Sequence, residues 1–145
     1  MSTYFIFSLM LVAGMMVAVQ PSINARLAQH VGLIESAALS FAVGTVALLI
    51  VSFVTSRGDW RGVSQTTWWE WSGGLFGAVY VAASIFAVPR IGTAATMAAV
   101  IASQLATGLL MDHFGLFGFH GAPFDGKRLL GVILLMLGAF LVVRR

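Results

Sequence analysis

The sequence predicts an all-α polytopic membrane protein, one domain over residues 1–145 with five transmembrane helices. Hydrophobic residues make up 59% of the chain and charged residues 9%, against about 25% charged in ordinary globular proteins. Mean hydropathy is +0.96. The apolar residues are also grouped into runs of spanning length, so the bilayer is the solvent of this chain.

The first span is expected at residues 4–27, interrupted near its end by Gln20 and Pro21, and the second at 33–54; each is long enough to cross. The N-terminus carries no basic leader region and no clear small-residue cleavage site, so it reads as a retained span. A third span is expected at residues 68–88, closed by Pro89, and a fourth at 94–111, near the lower limit for crossing. The fifth, at 129–143, rises only about 22 Å. It must thin the bilayer or let Lys127, Arg128, Arg144 and Arg145 snorkel to the headgroups. The connection over residues 112–128 is glycine-rich and carries Phe114, Phe117, Phe119 and Phe124, which suits a loop lying at the interface. A re-entrant segment is the sharper alternative, and it would need protein cover for its backbone. No internal repeat of useful length is visible.

The eight basic residues divide evenly when the spans are laid across a membrane. The side holding the N-terminus, side A, receives Arg57, Arg61, Lys127 and Arg128, and side B receives Arg26, Arg90, Arg144 and Arg145. Orientation is normally set by an excess of Lys and Arg in cytoplasmic loops, so a tie removes that instruction and predicts insertion both ways. Trp60, Trp68, Trp69 and Trp71 all fall on side A as an interfacial belt, which sets depth without selecting a leaflet.

Several function classes are excluded by what the chain lacks. The pI near 10.2 comes from single or paired basic residues between apolar runs, without the patch a nucleic-acid binder needs. Cysteine is absent, which removes disulfides and thiolate chemistry. His30, His113 and His120 are expected in different loops without ligand spacing, so no metal is expected. No nucleophile, dyad or metal cluster supports an intramembrane enzyme, and no cofactor is implied.

Polar side chains inside spans are the candidates for a solute site, because leaving one unpaired in hydrocarbon costs several kcal/mol. Gln20 and Asn24 share one face of the first span, with Pro21 removing a backbone donor between them. The two carboxamides could coordinate a solute, or cap freed carbonyls and bond a neighbouring helix; both readings follow from the same burial cost. In the third span Gly73, Gly77, Tyr80 and Ser84 lie on one face. The glycines suit close helix packing there, while the Tyr80 hydroxyl needs a partner at depth. Thr93, Thr96, Ser103, Gln104 and Thr107 fall within an arc of about 100° on the fourth span. Ser and Thr can bond their own helix, so Gln104 is the strongest candidate of that face.

Acidic residues matter because proton-coupled exporters titrate one, and here Glu35, Glu70 and Asp112 stand only at span ends. Glu35 in the first turn of the second span either complements the helix dipole or couples protons. Glu70, between Trp69 and Trp71, reads as interfacial and solvated. Asp112 ends the fourth span against the dipole, so His113 or a nearby basic residue is expected to offset it. Gly131, Leu135 and Gly138 on the fifth helix suit either a dimer contact or packing within one chain.

These residues, in order, resemble a known family. Gln20-Pro-Ser-Ile-Asn24-Ala-Arg-Leu27, Ser40-Phe-Ala-Val-Gly44-Thr, Trp68-Trp-Glu-Trp-Ser-Gly-Gly-Leu-Phe-Gly77, and Ser103-Gln104 followed by Asp112-His-Phe-Gly115 are similar to the YdcZ-type small proteins of the drug/metabolite transporter superfamily. Where the family pattern often reads Gly-Gln, this chain has Ser103-Gln104. The resemblance implies a multi-pass bacterial inner-membrane protein equivalent to half of a ten-helix inverted-repeat transporter, with the other half supplied by a second copy in opposite orientation or by a paralogous partner. It does not supply the first-span glutamate of the four-helix multidrug exporters. The expected function is therefore alternating-access transport of a small organic solute by an antiparallel dimer, with Gln20, Asn24, Tyr80, Ser84 and Gln104 lining the site and Glu35 as the proton-coupling candidate. The alternatives are a non-transporting assembly subunit, whose polar residues only join helices, and one half of a heterodimeric transporter.

Overall fold

A computed structural model describes residues 2–55, 58–116 and 125–143. Among them the regular elements are helical: α1 Thr3–Val31, α2 Leu33–Thr55, two 3-10 helices at Trp60–Gln65 and Trp68–Trp71, α3 Ser72–Ile91, α4 Thr93–Phe114 and α5 Gly126–Val143. Five helices are long and apolar enough to cross a membrane, the third counted with its 3-10 entry as Trp68–Ile91. Few side chains are enclosed. Leu48 and Phe53 stay 72% and 73% exposed, because a spanning helix meets lipid where a soluble one must meet a core.

The helix ends differ from the sequence reading in instructive ways. Ser2 caps α1 by accepting from the Phe5 amide at 3.3 Å, and the helix then runs through Pro21 to Val31 instead of ending near Leu27. Pro89 likewise lies inside α3 and does not close it. Proline is tolerated at depth where neighbouring groups can satisfy what its missing donor leaves open. His30 and His113 consequently sit in the last turns of α1 and α4, not in loops. With 18 residues α5 spans about 27 Å, which eases the mismatch expected of a shorter helix. Phe117, Phe119, His120 and Phe124 lie outside the described residues, as do Arg57, Arg144 and Arg145.

The segment before α3 is built at an interface. Glu70 accepts from both the amide and the hydroxyl of Thr67, at 2.6 and 2.8 Å, closing a capping box. The Trp71 indole donates to the Thr66 hydroxyl at 2.8 Å. Trp60, Trp68 and Trp71 remain well exposed, as suits rings that anchor at headgroup level.

Two of the connections are single glycines. Gly32, at φ 100° and ψ 161°, ends α1 by donating to the Ala28 carbonyl at 3.0 Å and starts α2 by accepting from the Ser36 amide at 3.0 Å. Gly92, at φ 85° and ψ 159°, connects α3 to α4 and starts α4 by accepting from the Thr96 amide at 3.1 Å. This backbone region is essentially restricted to glycine. Counted back from each glycine, Pro21, Asn24 and Ala25 on α1 match Val81, Ser84 and Ile85 on α3 as the buried positions. Counted forward, Ser36 and Ala37 match Thr96 and Met97. The chain thus repeats a helix–glycine–helix pattern of buried positions that residue identity conceals.

The chain divides into two compact units, Met1–Pro89 and Arg90–Arg145. In the first, α1 packs on α2, and Ala37, Val81 and Ile85 form a small apolar cluster bordered by Ala28, Leu33, Tyr80 and Ala82. Gly77 faces the Phe41 ring, where a Cβ would come within 3.2 Å of it, while Gly73 has open space. The packing role therefore belongs to Gly77 of the two. In the second unit α5 lies along α4.

Candidate functional site

In the first unit a polar ladder joins α1 to α2. Gln20 and Asn24, one turn apart, both reach Ser40: their carboxamide nitrogens donate to its hydroxyl at 3.4 and 3.1 Å. One turn earlier on α2, the fully enclosed Ser36 donates its hydroxyl to the Asn24 carbonyl at 2.7 Å. Asn24 is itself buried, and Pro21 beside it is among the most enclosed residues in the chain. The two carboxamides thus bond a neighbouring helix. With their nitrogens committed to Ser40, their oxygens are left as the acceptors of the site.

Two hollows meet at Gln20. One of about 220 Å³ is bounded by Gln20, Ser40, Phe41, Gly44, Thr45 and Leu48. The other, about 440 Å³, is bounded along α1 by Met15, Met16, Val19, Gln20, Ile23 and Asn24. None of these residues carries a charge. Such a lining favours a solute recognised by hydrogen bonding and apolar contact, since a bare charge would find no counter-ion. Ser36 and Ser40 were not singled out as site residues from the sequence. Their spacing, the same as that of Gln20 and Asn24 on the facing helix, was the available signal.

On α3 the outcome is split. Ser84 is buried and donates to the Val81 carbonyl of its own helix at 2.9 Å, the self-satisfied state open to serine in membranes. The Tyr80 hydroxyl is buried with no hydrogen-bond partner among the described residues. On α4, Thr96 bonds Gly92 and Ser103 bonds Val100, at 2.8 and 2.9 Å, so two hydroxyls of that polar face are spent locally.

Gln104 belongs to the second unit. It lines a groove of about 540 Å³ between α4 and α5 whose mouth is set by Asp112 and Arg128. The Arg128 guanidinium donates to the Asp112 carboxylate at 3.2 Å. This supplies the basic partner that a carboxylate at the end of α4 requires.

Glu35 stands in the first turn of α2. Its carboxylate fills the space that a Cβ on Gly32 would take, a position that complements the positive end of α2. No group of three or more metal-ligating side chains occurs among the described residues.

Comparison with known proteins gives a consistent result. A family model described as "Putative inner membrane exporter, YdcZ" matches residues 5–141. The chain is 36% identical over 143 residues to the inner membrane protein YdcZ of Escherichia coli (strain K12), covering 94% of this chain and 93% of that protein. No solved structure matches.

Proposed function

We infer, from the premise that this chain belongs to the YdcZ family of multi-pass inner-membrane proteins, that it transports a small organic solute as an antiparallel pair of copies. The transporter class follows the family. The observation that carries a solute site in this chain is the Tyr80 hydroxyl, buried within a spanning helix and without a partner among the described residues. A polar group is kept in so costly a state when another molecule bonds it at some stage of a cycle. The acceptor oxygens of Gln20 and Asn24, in the same unit, offer the complementary chemistry. Ser84 is proposed to shape the wall of that site through its bond to Val81, and Gln104, in the second unit, is proposed as a separate solute contact.

Alternating access is commonly built from two inverted halves rocking about a shared midplane site. If spans alternate direction, the segments around Gly32 and Gly92 would run the same way, which supports taking the inverted half from a second copy. The even division of basic residues supports a second copy inserted the other way, and a paralogue of opposite bias is the other source. Proton coupling, if this transporter uses it, falls to Glu35, because carboxamides and hydroxyls do not ionise in the working range.

The competing reading is a membrane assembly subunit whose polar residues only hold helices together, and the Gln20–Asn24–Ser40 ladder is what favours it. Asn24→Ala and Gln104→Ala separate the two. Each is expected to lose solute flux in proteoliposomes while the dimer persists. Full flux in both variants would leave those residues as helix glue.

A further inference from the structure

The smaller hollow of the first unit holds hydrogen-bonding groups that its own helices leave incomplete. It follows α2 from Ser40 through Phe41, Gly44 and Thr45 to Leu48, with Gln20 of α1 beside it, a length of about 12 Å. A serine hydroxyl has two lone pairs and one proton. At Ser40 both lone pairs are taken, by the Gln20 and Asn24 carboxamide nitrogens at 3.4 and 3.1 Å. Ser40 can therefore only donate further, and its proton has no acceptor among the described residues. Gln20 is the converse: its nitrogen is committed and its oxygen remains to accept. Thr45 adds a third group. Thr55 and Thr96 each return their hydroxyl to a carbonyl four residues back, at 2.9 and 2.8 Å, whereas Thr45 makes no such bond among the described residues. Polar groups left open within a span are costly and require a polar partner.

Space and polarity define the occupant. Gly44 opens the hollow, since a Cβ there would meet nothing within 4 Å, and the Phe41 ring is held against Gly77 of α3. At about 220 Å³ the space is smaller than a drug-sized site, which begins at about 300 Å³, so the occupant is small. None of the lining residues is charged, so it is also uncharged. Ser40 gives and Gln20 takes at neighbouring atoms, and the occupant must therefore accept and donate side by side. A carboxamide does so. Its oxygen accepts from Ser40 and its N–H donates to Gln20 Oε1, closing a ring through the existing Gln20–Ser40 bond in which each bond strengthens the next. A ketone or ester answers Ser40 alone. A carboxamide on a facing helix has the same chemistry, but one side chain fills only one end of a hollow about 12 Å long. We propose that this hollow binds a small uncharged carboxamide or lactam, with Ser40 donating to its carbonyl, Gln20 accepting from its N–H, and its apolar body against Phe41 and Leu48. This rests on the transport reading and deepens it by naming a solute class; the binding itself is measurable without transport.

The test measures saturable binding of benzamide to the full chain in lipid nanodiscs by ligand-observed NMR, with empty nanodiscs as the blank. Acetophenone, in which a methyl replaces the amide nitrogen, and benzoate, of the same size but charged, are the comparators. Benzamide is expected to bind several-fold tighter than acetophenone, up to about tenfold, the margin of one net hydrogen bond, and benzoate is expected not to compete. Gln20→Leu is expected to abolish the difference between benzamide and acetophenone; α1 stays tied to α2 in that variant through the Asn24–Ser40 and Ser36–Asn24 bonds. Gly44→Leu fills the hollow at a position with open space and is expected to abolish binding of both. Equal affinities, competition by benzoate, a ratio that survives Gln20→Leu, binding that survives Gly44→Leu, or no saturable binding above the blank would overturn the proposal; the last is what a hollow filled by a side chain of a second copy would give. The expected ratios in a chain that moves no solute in proteoliposomes support the hollow and count against transport. Flux of a solute without the ratios counts against the hollow alone.

Discussion

The Tyr80 hydroxyl and the Ser36 hydroxyl are both buried within spanning helices, and they pose opposite problems. Ser36 is spent on the Asn24 carbonyl and ties two helices together, whereas Tyr80 has no partner among the described residues and there contributes only its desolvation cost. Removing an unpaired buried hydroxyl relieves about 1–3 kcal/mol. Tyr80→Phe is therefore expected to hold or raise thermal stability in detergent while lowering solute flux in proteoliposomes. A variant that melts earlier than the native protein would show that the hydroxyl has a structural partner. Unchanged flux together with raised stability would remove Tyr80 from the site.

At the level of elements, the single-residue connections make the sharpest demands on the chain. Gly32 and Gly92 occupy a backbone region that costs a residue with a Cβ about 1–3 kcal/mol, so alanine at either is expected to lower the stability of its hairpin by that order. Gly32→Ala meets a second obstacle, the Glu35 carboxylate lying over it. Pairing it with Glu35→Ala is expected to recover part of the loss, and denaturation of the single and double variants by titrated SDS would show whether it does. The spans themselves were legible in the sequence because hydropathy and length are local properties. Their ends were less so: Pro21 and Pro89 read as terminators, yet membrane helices continue through proline where neighbours compensate. The helix–glycine–helix repeat was hidden because its two copies share burial positions and the connecting glycine, not side-chain identity. Gln20, Asn24, Tyr80 and Gln104 stood out as polar residues inside spans. Which of them were satisfied depended on Ser40, and the helix-end pairing of Asp112 depended on Arg128; both are cross-helix relations that spacing along one helix does not reveal.

At the scale of the whole molecule, the division of basic residues becomes a statement about assembly. The expected division of the eight basic residues, four to a side, would leave the two orientations close in energy, since each Lys or Arg in a short loop biases insertion. Placing Ser2→Cys in a chain without native cysteine is expected to give labelling from both faces of the membrane. Two lysines added after Arg145 shift the balance toward side B, and that variant is expected to insert one way and to lose transport. Gly58→Lys with Gly62→Lys shifts it toward side A at positions with open space around them, and this second variant alone is expected to fail in the same way. Producing the two together should restore flux, because each then supplies the inverted half the other lacks. Labelling of the native chain from one face only, or restoration of flux by doubling the amount of either variant alone, would overturn the antiparallel homodimer and point to a paralogous partner.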